Sequence, residues 1–441
     1  MTYTVKDILN MEVAPALGCT EPTAIALGAA AAASLLPSRD IEAVEIWVDP
    51  NIYKNGVAVS IPGASGATGL DLAAAMGAFG GDPVLRMEVL EPLEEGHFSR
   101  AKELVKAGRV KVNLLDSTKG IYIRSHVEAG GHAAESVIED LHDNISALSL
   151  DGAEVSKSGL ISSVNVGNRS LRDLEGWLKG LELTDLLSLL DDLDGDDREF
   201  LMEGVKYNVA LANYGLKYGP GLGIGLGMKR IAIEGLLKRD MVHEAKALTS
   251  AAADARMSGA KLPAMSSGGS GNHGLTAILP IWALREFIEL EGDDRVVEAI
   301  ALSHLVTAYI KAFTGRLSAI CGCSVAAGAG AAAGATYLLG GNHNHIAAAI
   351  INLLGDLAGV ICDGAKASCS FKLATAAGSA VQAALFALHG IRIASTDGII
   401  GLSPEGTMQN VGTLSSEGMI ETDRTILQIM LDKRFAAALE E

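Results

Sequence analysis

Long apolar runs of small residues restrict the fold of this chain more than any other feature. Residues 23–36 and 324–341 are built mainly of Ala, Gly and aliphatic residues. A helix that is apolar on every side must be buried. The whole chain follows the same pattern, with 51 glycines, 49% hydrophobic residues and only 4% aromatics in 441 residues. The sequence therefore predicts a large core of closely packed helices, in a chain long enough for two or three domains.

This composition also raises the alternative of a membrane protein, because the mean hydropathy is +0.29. The segment 324–341 has about 18 uncharged residues, which is the lower limit for a membrane-spanning helix. However, Ala and Gly contribute little to insertion, and the segment lacks an aromatic belt and a flanking Lys/Arg asymmetry. The N-terminus also lacks a signal-peptide pattern. We therefore expect a buried central helix, no membrane association and a cytoplasmic protein.

The charge of the chain bears on its partners. The formal net charge is −18, whereas nucleic-acid binding needs a basic surface. We therefore expect no nucleic-acid partner. The acidic surface keeps the protein soluble and says little about a substrate.

Changes in residue pattern along the chain predict an α+β fold. Residues 1–37 are predicted to be an N-terminal helical segment that carries Cys19 and packs on the catalytic domain. Residues 38–150 mix strand and helix patterns and form a smaller inserted α/β domain, followed by a charged connector at 151–197. Residues 198–441 read as helix after helix, which predicts a large all-helical catalytic domain. Within the inserted domain the patterns predict a polar turn at 49–56 and strands at 41–48, 84–90, 110–115 and 120–127.

The five cysteines fall in three places. Cys362 and Cys369 flank Asp-Gly-Ala-Lys-Ala-Ser, Cys321 and Cys323 lie about forty residues upstream, and Cys19 stands alone near the N-terminus. Clustered cysteines in a reducing compartment favour metal binding or catalysis over disulfides. Their spacing is not the CxxC spacing of many zinc sites. Three thiolates from two loops are able to hold a 4Fe–4S cluster with one open iron, but zinc and packed free thiols remain open at this point.

Cys19 directly precedes the apolar run that begins at Thr23. We expect a helix here with Thr20 as its N-cap and Pro22 in its first turn. The positive end of the helix dipole would favour a thiolate at Cys19. A buried structural cysteine is the alternative.

Two histidines offer a second metal hypothesis. His343 and His345 form an HxH pair in the loop Gly-Gly-Asn-His-Asn-His. A zinc-dependent hydrolase built on this pair and the cysteines is an alternative to iron–sulfur chemistry. The pair alone is a weak signal, because surface histidines at this spacing are common.

Four motifs together resemble those of the L-cysteine desulfidase family, which is related to the iron–sulfur L-serine dehydratases. They lie at 18–22, 266–274, 321–324 and 362–369, and the resemblance covers nearly the whole chain. It implies a 4Fe–4S enzyme that catalyses β-elimination from an amino acid without pyridoxal phosphate. For a desulfidase the products are pyruvate, ammonia and hydrogen sulfide. An L-serine dehydratase with the same site is the alternative, because the sequence does not separate loss of sulfide from loss of hydroxide.

The resemblance also assigns roles to the cysteines. It implies that Cys362 and Cys369 are two cluster ligands and that Cys323 is the third, with Cys321 as the alternative. Cys19 is the implied catalytic residue, which takes the α-proton of the substrate or caps the open iron at rest. The dehydratases carry a capping cysteine at the C-terminus, and this chain ends without one, which favours Cys19 for that role.

The polar loop at 263–274 is the predicted substrate loop. Ser270, Asn272 and neighbouring backbone N–H groups would hold the carboxylate of a small amino acid, and His273 lies in the same loop. Lys54 or Lys366 would supply positive charge. The apolar helices also make a homodimer plausible.

Overall fold

The computed structural model describes residues 2–64, 66–115, 120–156, 158–161 and 171–440, with side chains up to residue 433. Within these ranges the protein is α+β, with a large helical domain and one small mixed sheet, as the sequence predicted. The first helices are α1 Val5–Glu12, α2 Thr20–Ala33, α3 Pro50–Gly56, α4 Leu70–Gly80, α5 Glu95–Lys106, α6 Leu171–Leu178, α7 Leu183–Ser188, α8 Gly195–Tyr218 and α9 Ile224–Ile233. The others are α10 Met241–Met257, α11 Gly271–Leu284, α12 Asp294–Thr314, α13 Ala326–Leu338, α14 His343–Leu357, α15 Cys369–Leu388, α16 Pro404–Thr413 and α17 Ile420–Glu440.

Six strands form the main sheet, in the order β3-β2-β4-β5-β6-β7, and two further strands, β1 and β8, pair with each other. The strands are β1 Pro15–Leu17, β2 Ile41–Val48, β3 Val110–Leu114, β4 Tyr122–Ala129, β5 His132–Glu139, β6 Ile145–Leu150, β7 Ala153–Glu154 and β8 Pro263–Met265. In the main sheet β2 pairs parallel with β3, and the other neighbouring strands pair antiparallel. The predicted strands at 41–48, 110–115 and 120–127 are confirmed, and residues 116–119 lie outside the described chain. The sequence also predicted that the last two strands pair with each other, and this is wrong, because β2 lies between β3 and β4.

The inner face of this sheet packs against α2. Ser136 on β5 donates a hydrogen bond to the carbonyl oxygen of Gly28 on α2, at 2.6 Å. A Cβ atom on Gly28 would lie 2.7 Å from Oγ of Ser125 on β4. The glycine therefore allows helix and sheet to approach closely enough for this bond. Alternate residues of β4 and β5 are buried, as expected for a sheet with one covered face.

Two local predictions in the inserted domain were wrong. Residues 49–56 are not a polar turn, because Asp49 caps helix α3 by accepting hydrogen bonds from the N–H groups of Asn51 and Ile52, with Pro50 at the first position. Residues 84–90 are not a strand but contain the 3₁₀ helix Pro83–Glu88, which Asp82 caps in the same way. In both places an Asp cap followed by Pro starts a short helix, which the residue pattern did not predict.

The N-terminal segment is divided between the two parts of the protein. The sequence predicted that all of 1–37 packs on the helical domain, and this is correct only for α1, whose Val5, Ile8 and Leu9 join the helical core. Helix α2 belongs to the core of the sheet instead. All of its residues are buried. The helix lies between the sheet and α4, which cover its apolar surface. The remaining domain boundaries stay predictions, and part of the connector, at 157 and 162–170, lies outside the described residues.

A small two-stranded sheet joins the N-terminal segment to the helical domain. β1 pairs antiparallel with β8, with Ala16 opposite Ala264. Asn208 on α8 stabilises β8, because its side chain donates to the carbonyl oxygen of Met265 at 3.3 Å and accepts from the N–H of Met265 at 2.9 Å. Cys19 follows β1 directly and the polar loop follows β8 directly. The pairing therefore fixes these two segments side by side.

Two helices of the described chain, α12 and α15, are long and apolar enough to cross a membrane. In the fold, 89% of the most apolar window of α12 and 56% of that of α15 are buried within the protein. Both are therefore used as core helices. The segment 324–341, considered above as a membrane span, forms α13 with its flanking residues, and most of α13 is buried.

Candidate active site

All five cysteines of the chain line one cavity. The cavity has a volume of about 70 Å³, which is room for roughly five water molecules at 10–15 Å³ each. The structure thus brings together the three groups of cysteines that the sequence singled out. Ser270, Asn272 and His273 of the polar loop line the same cavity.

The two pairs of cysteines are held by neighbouring stretches of backbone. The N–H of Cys321 donates to the carbonyl oxygen of Val360 at 2.8 Å, and the N–H of Cys362 donates to that of Ala319 at 2.6 Å. Cys323 lies in the turn that precedes α13, and Cys369 is the first residue of α15. Short backbone bonds of this kind hold the two cysteine segments side by side.

Within the first pair, Cys321 is the more acidic thiol. The hydrogen bond from Cys323 lowers the pKa of Cys321 to about 6, against the effect of burial, and raises the pKa of Cys323 well above its usual value. The hydroxyl of Ser324 also donates to Sγ of Cys321, at 3.4 Å. Burial raises the pKa of Cys362, and it raises that of Cys369 to about 12. The cavity therefore holds one stabilised thiolate among several thiols.

Cys19 is the N-cap residue of α2, so that Thr20 is the first helical residue rather than the cap. The expectation of a thiolate at this helix terminus is wrong for the protein alone. Burial raises the pKa of Cys19 to about 11, and the charge of Arg256 offsets this only in part. Cys19 is 1% exposed and forms a small apolar cluster with Val59 and Met257, against which Cys369 packs.

Positive charge surrounds the cavity. Arg256, Lys311, Arg316 and Lys372 line it, and sequence reasoning assigned none of them to the site. Burial and the charge of Arg316 lower the pKa of Lys311 to about 8. The N-termini of α2, α11 and α15 also meet at the cavity wall, where their dipoles add partial positive charge. The site is therefore built to hold negative charge.

Carboxylates outside the cavity position two of these cations. Arg316 pairs with Glu12 on α1 at 2.9 Å. Lys372 pairs with Asp363 at 2.5 Å, and Lys366 pairs with the other oxygen of Asp363 at 2.7 Å. Burial opposes ionisation of Asp363, but the two lysines outweigh it and lower its pKa to about 2. Asp363 thereby fixes the loop between Cys362 and Cys369.

The polar loop contributes buried groups. Ser270 is the N-cap of α11, although its side chain makes no capping hydrogen bond. Asn272 accepts a hydrogen bond from Arg256 at 2.9 Å, and Nδ1 of His273 lies 3.1 Å from the carbonyl oxygen of Ser267. Burial and the charge of Lys311 lower the pKa of His273 to about 3. The imidazole is therefore neutral at pH 7.

The two lysines that the sequence proposed for substrate binding do not line the cavity. Lys54 is 1% exposed and forms an ion pair with Asp423 on α17. Lys366 faces Asp363. Both charges are thus already matched by carboxylates. Asn55, the neighbour of Lys54, does line the cavity and lies 3.9 Å from Sγ of Cys362.

Residues 128–428 match the family described as the serine dehydratase alpha chain. The chain belongs to this family. The resemblance to the serine dehydratases that the sequence motifs predicted is confirmed. The family match covers the polar loop and four of the cysteines, Cys321, Cys323, Cys362 and Cys369, but not Cys19.

Relatives of nearly the same length extend this similarity over the whole chain. A UPF0597 protein of Desulfatibacillum aliphaticivorans is 60% identical over 438 residues, which cover 99% of this chain and 100% of the relative. A UPF0597 protein of Desulforapulum autotrophicum is 56% identical over 443 residues, which cover 100% of both chains. A UPF0597 protein of Clostridioides difficile is 42% identical over 426 residues, covering 97% of this chain and 99% of the relative.

The donor set of this serine dehydratase family member indicates which cofactor the cavity fits. In the described chain, no group of three or more His, Cys, Asp or Glu side chains is placed to hold a single metal ion. His343 and His345 lie at the start of α14 and do not line the cavity, so the structure does not bring the parts of the zinc hypothesis together. The cysteines of the cavity supply thiolate ligands of the kind that an iron–sulfur cluster takes, and such a cluster is larger than one ion.

Behind the polar loop, His304 gives a testable pH dependence. His304 is 1% exposed, and its Nδ1 lies 2.9 Å from Oγ of Ser267. Burial lowers its pKa to about 4, whereas an unfolded histidine titrates near 6.5. Below pH 6.5 the unfolded state therefore binds a proton that the folded state does not. The free energy of unfolding therefore falls as the pH drops from 6.5 to 4, by about 3 kcal/mol in total.

We expect His304→Gln to make the loss of stability between pH 6.5 and 4 shallower by about 1.4 kcal/mol per pH unit. Urea unfolding of the wild type and the variant at a series of pH values measures this difference. His343→Gln, at an exposed histidine, is the control and should keep the wild-type slope. Equal slopes for His304→Gln and the wild type would show that His304 is not a buried neutral group.

Proposed function

We propose that this protein is a β-elimination lyase that acts on a small β-substituted amino acid. L-cysteine is the first candidate substrate, with pyruvate, ammonia and hydrogen sulfide as products. The observation that supports the proposal is the convergence of five cysteines and the polar loop on one cavity. Membership of the serine dehydratase alpha chain family supports the reaction class. It also makes L-serine, with water as the leaving group, the second candidate at the same site.

The proposed cofactor is a 4Fe–4S cluster, without pyridoxal phosphate. Cys362, Cys369 and Cys323 would hold it, with Cys321 as the alternative to Cys323. When bound, a cluster with three cysteine ligands supplies an iron with a free position, a Lewis acid that assists loss of a leaving group. The cationic wall of Lys311, Lys372 and the arginines supports this proposal, because such a cluster with its thiolates carries negative charge.

The residues of the chain would supply the proton chemistry. A base removes the α-proton, the C–H electron pair forms the double bond between Cα and Cβ, and the Cβ–S bond breaks to release sulfide. The enamine product then hydrolyses to pyruvate and ammonia. Cys19 is the proposed catalytic residue, because it lines the same cavity as the proposed cluster ligands. Its two candidate roles are proton transfer at Cα and capping of the cluster at rest.

The polar loop would orient the substrate. Ser270, Asn272 and the free N–H groups of the first turn of α11 face the cavity, where they can accept a carboxylate. His273 is neutral and closes one wall: a Cβ atom on Gly322, between two cysteines, would lie 2.4 Å from its Nε2. Half of the residues that line this cavity are buried and the others are half-buried, which would limit the access of bulk water to the reaction.

Anaerobic purification followed by metal analysis tests this proposal. We expect a brown protein with about four irons per chain, and release of pyruvate and sulfide from L-cysteine. Assay of L-serine in parallel distinguishes the two substrates. A colourless protein that contains zinc would support a hydrolase instead, and a metal-free protein without turnover would indicate a binding or structural role. We also propose a cytoplasmic homodimer, which gel filtration of the same sample tests.

A further inference from the structure

Arg256 is a buried cation without a carboxylate partner in the described part of the chain. Its side chain is 2% exposed. It donates to the side-chain oxygen of Asn272 at 2.9 Å and to the carbonyl oxygen of Gly18 at 2.6 Å, both uncharged acceptors. Its Nε is buried and has no hydrogen-bond partner. An unmatched buried charge is costly, which indicates that an anion binds here.

The free Nε lies against the first residue of α11. A Cβ atom on Gly271, the first residue of α11, would lie 2.4 Å from Nε of Arg256. The side chain of Ser270 does not cap this helix, so its first N–H groups remain available. A guanidinium beside a helix N-terminus offers both charge and several N–H donors to a carboxylate.

An unmatched carboxylate lies in the same cavity. Glu21 on α2 is 6% exposed and lines the cavity. Its Oε2 accepts a hydrogen bond from the hydroxyl of Thr20 at 3.0 Å, and its Oε1 lies 4.0 Å from Nε2 of His142. Burial lowers the pKa of His142. Within the described residues, no lysine or arginine forms an ion pair with Glu21.

Both groups lie close to Cys19. Arg256 donates to the carbonyl oxygen of Gly18, the residue before Cys19, and Glu21 lies two residues after Cys19 in the first turn of α2. Near the proposed catalytic thiol, the described part of the cavity thus presents a cation and a carboxylate that form no ion pair with Asp, Glu, Lys or Arg. This pattern is complementary to a ligand that carries both charges on one carbon atom.

We propose that Arg256 binds the α-carboxylate and Glu21 binds the α-ammonium group of a free α-amino acid. The assignment rests on the proposed function in taking this cavity as the substrate site. Since both charged groups are attached to Cα, their binding places the α-hydrogen next to Cys19. The site then rejects carboxylic acids without an amino group, amines without a carboxylate, and peptides.

Binding of L-alanine tests the proposal, because L-alanine has both charged groups but no leaving group. We expect titration calorimetry of the anaerobically purified protein to detect L-alanine but not propionate or ethylamine. Arg256→Gln should weaken L-alanine binding by roughly 10- to 100-fold. Glu21→Gln should weaken L-alanine binding similarly. Failure of the wild type to bind L-alanine would contradict the proposal.

Two further variants separate recognition from folding. Gly271→Ala removes no polar group, but its methyl group would displace Nε of Arg256, so it should also weaken L-alanine binding. Arg198→Gln removes an arginine that pairs with Glu298 at 3.0 Å outside the cavity and should not affect L-alanine binding. Because the charge of Arg256 is unmatched, Arg256→Gln should not lower the melting temperature of the ligand-free protein.

The outcomes are distinguishable from failure of the proposed reaction. Binding of L-alanine that depends on Arg256 and Glu21, in a protein that forms no pyruvate, would refute the lyase but keep the amino-acid site. Unchanged L-alanine binding in a folded Arg256→Gln protein would refute this assignment whatever the protein catalyses. Equal affinity for propionate and L-alanine would refute the role of Glu21.

Discussion

Replacing Cys362 with serine is expected to abolish pyruvate formation and to remove most of the bound iron. Serine has nearly the same size as cysteine, and the backbone bond from residue 362 to Ala319 remains. The change therefore removes the soft thiolate ligand and little else. Iron content, the visible spectrum and a pyruvate assay, all under anaerobic conditions, measure the effect. Cys369→Ser is expected to behave in the same way.

Ser368→Ala is the matched control for this experiment. Ser368 lies beside Cys369 at the start of α15, and its side chain makes no capping hydrogen bond. The variant should keep its iron and its activity. Full iron content and full turnover in Cys362→Ser would show that neither iron binding nor the reaction needs this thiol. The cluster assignment would then have to be abandoned.

The same measurement assigns the third ligand. Cys323→Ser should lower the iron content as strongly as Cys362→Ser, whereas Cys321→Ser should leave the iron bound. The opposite result would make Cys321 the ligand. The two thiols share a hydrogen bond, so the pair has to be separated by substitution.

Replacing Cys19 with alanine is expected to lower kcat by about 100- to 10,000-fold while the cluster spectrum stays intact. The Cys19 thiol lies inside the cavity, but the proposed cluster ligands are held in place by other residues. Alanine fits the extended backbone at the N-cap of α2, and no side-chain capping bond is lost there. Stopped assays with L-cysteine, combined with spectra of the same sample, measure both quantities.

The competing role of Cys19 gives a different result. If Cys19 caps the cluster at rest, the alanine variant turns over normally but loses its spectrum faster in air. Met257→Leu is the control, because Sδ of Met257 lies 3.9 Å from the Cys19 sulfur but carries no proton to transfer. Full turnover together with unchanged stability in air would remove Cys19 from both roles.

Much of the architecture follows from local patterns in the sequence. The alternation of 41–48 predicts β2, and the small apolar residues of 23–36 predict a buried helix. The sequence does not show what covers that helix, because a helix that is apolar on all sides fits any core. β1 and β8 were missed for another reason: each has three residues, and about 250 residues separate them, so neither carries a recognisable strand pattern.

The candidate site could be predicted only in part. Cysteines and a Gly-rich polar loop are visible as motifs, and the cavity brings both together. Arg256 and Arg316 belong to no motif, and their importance comes from burial and from the presence or absence of a carboxylate partner. Lys54 and Lys366 looked equally suitable in the sequence, but Asp423 and Asp363 already match their charges. Such pairing depends on tertiary structure.

The pairing of β1 with β8 has a consequence for biosynthesis. At 5–20 residues per second, Pro15–Leu17 leave the ribosome roughly 12 to 50 s before their partner strand exists. The cysteines at 362 and 369 follow later still. The Cys19 thiol therefore lacks its final neighbours until most of the chain has been synthesised. Completion of the cavity is therefore a late event in synthesis, and a nascent chain that stops before residue 369 contains no complete site to fill.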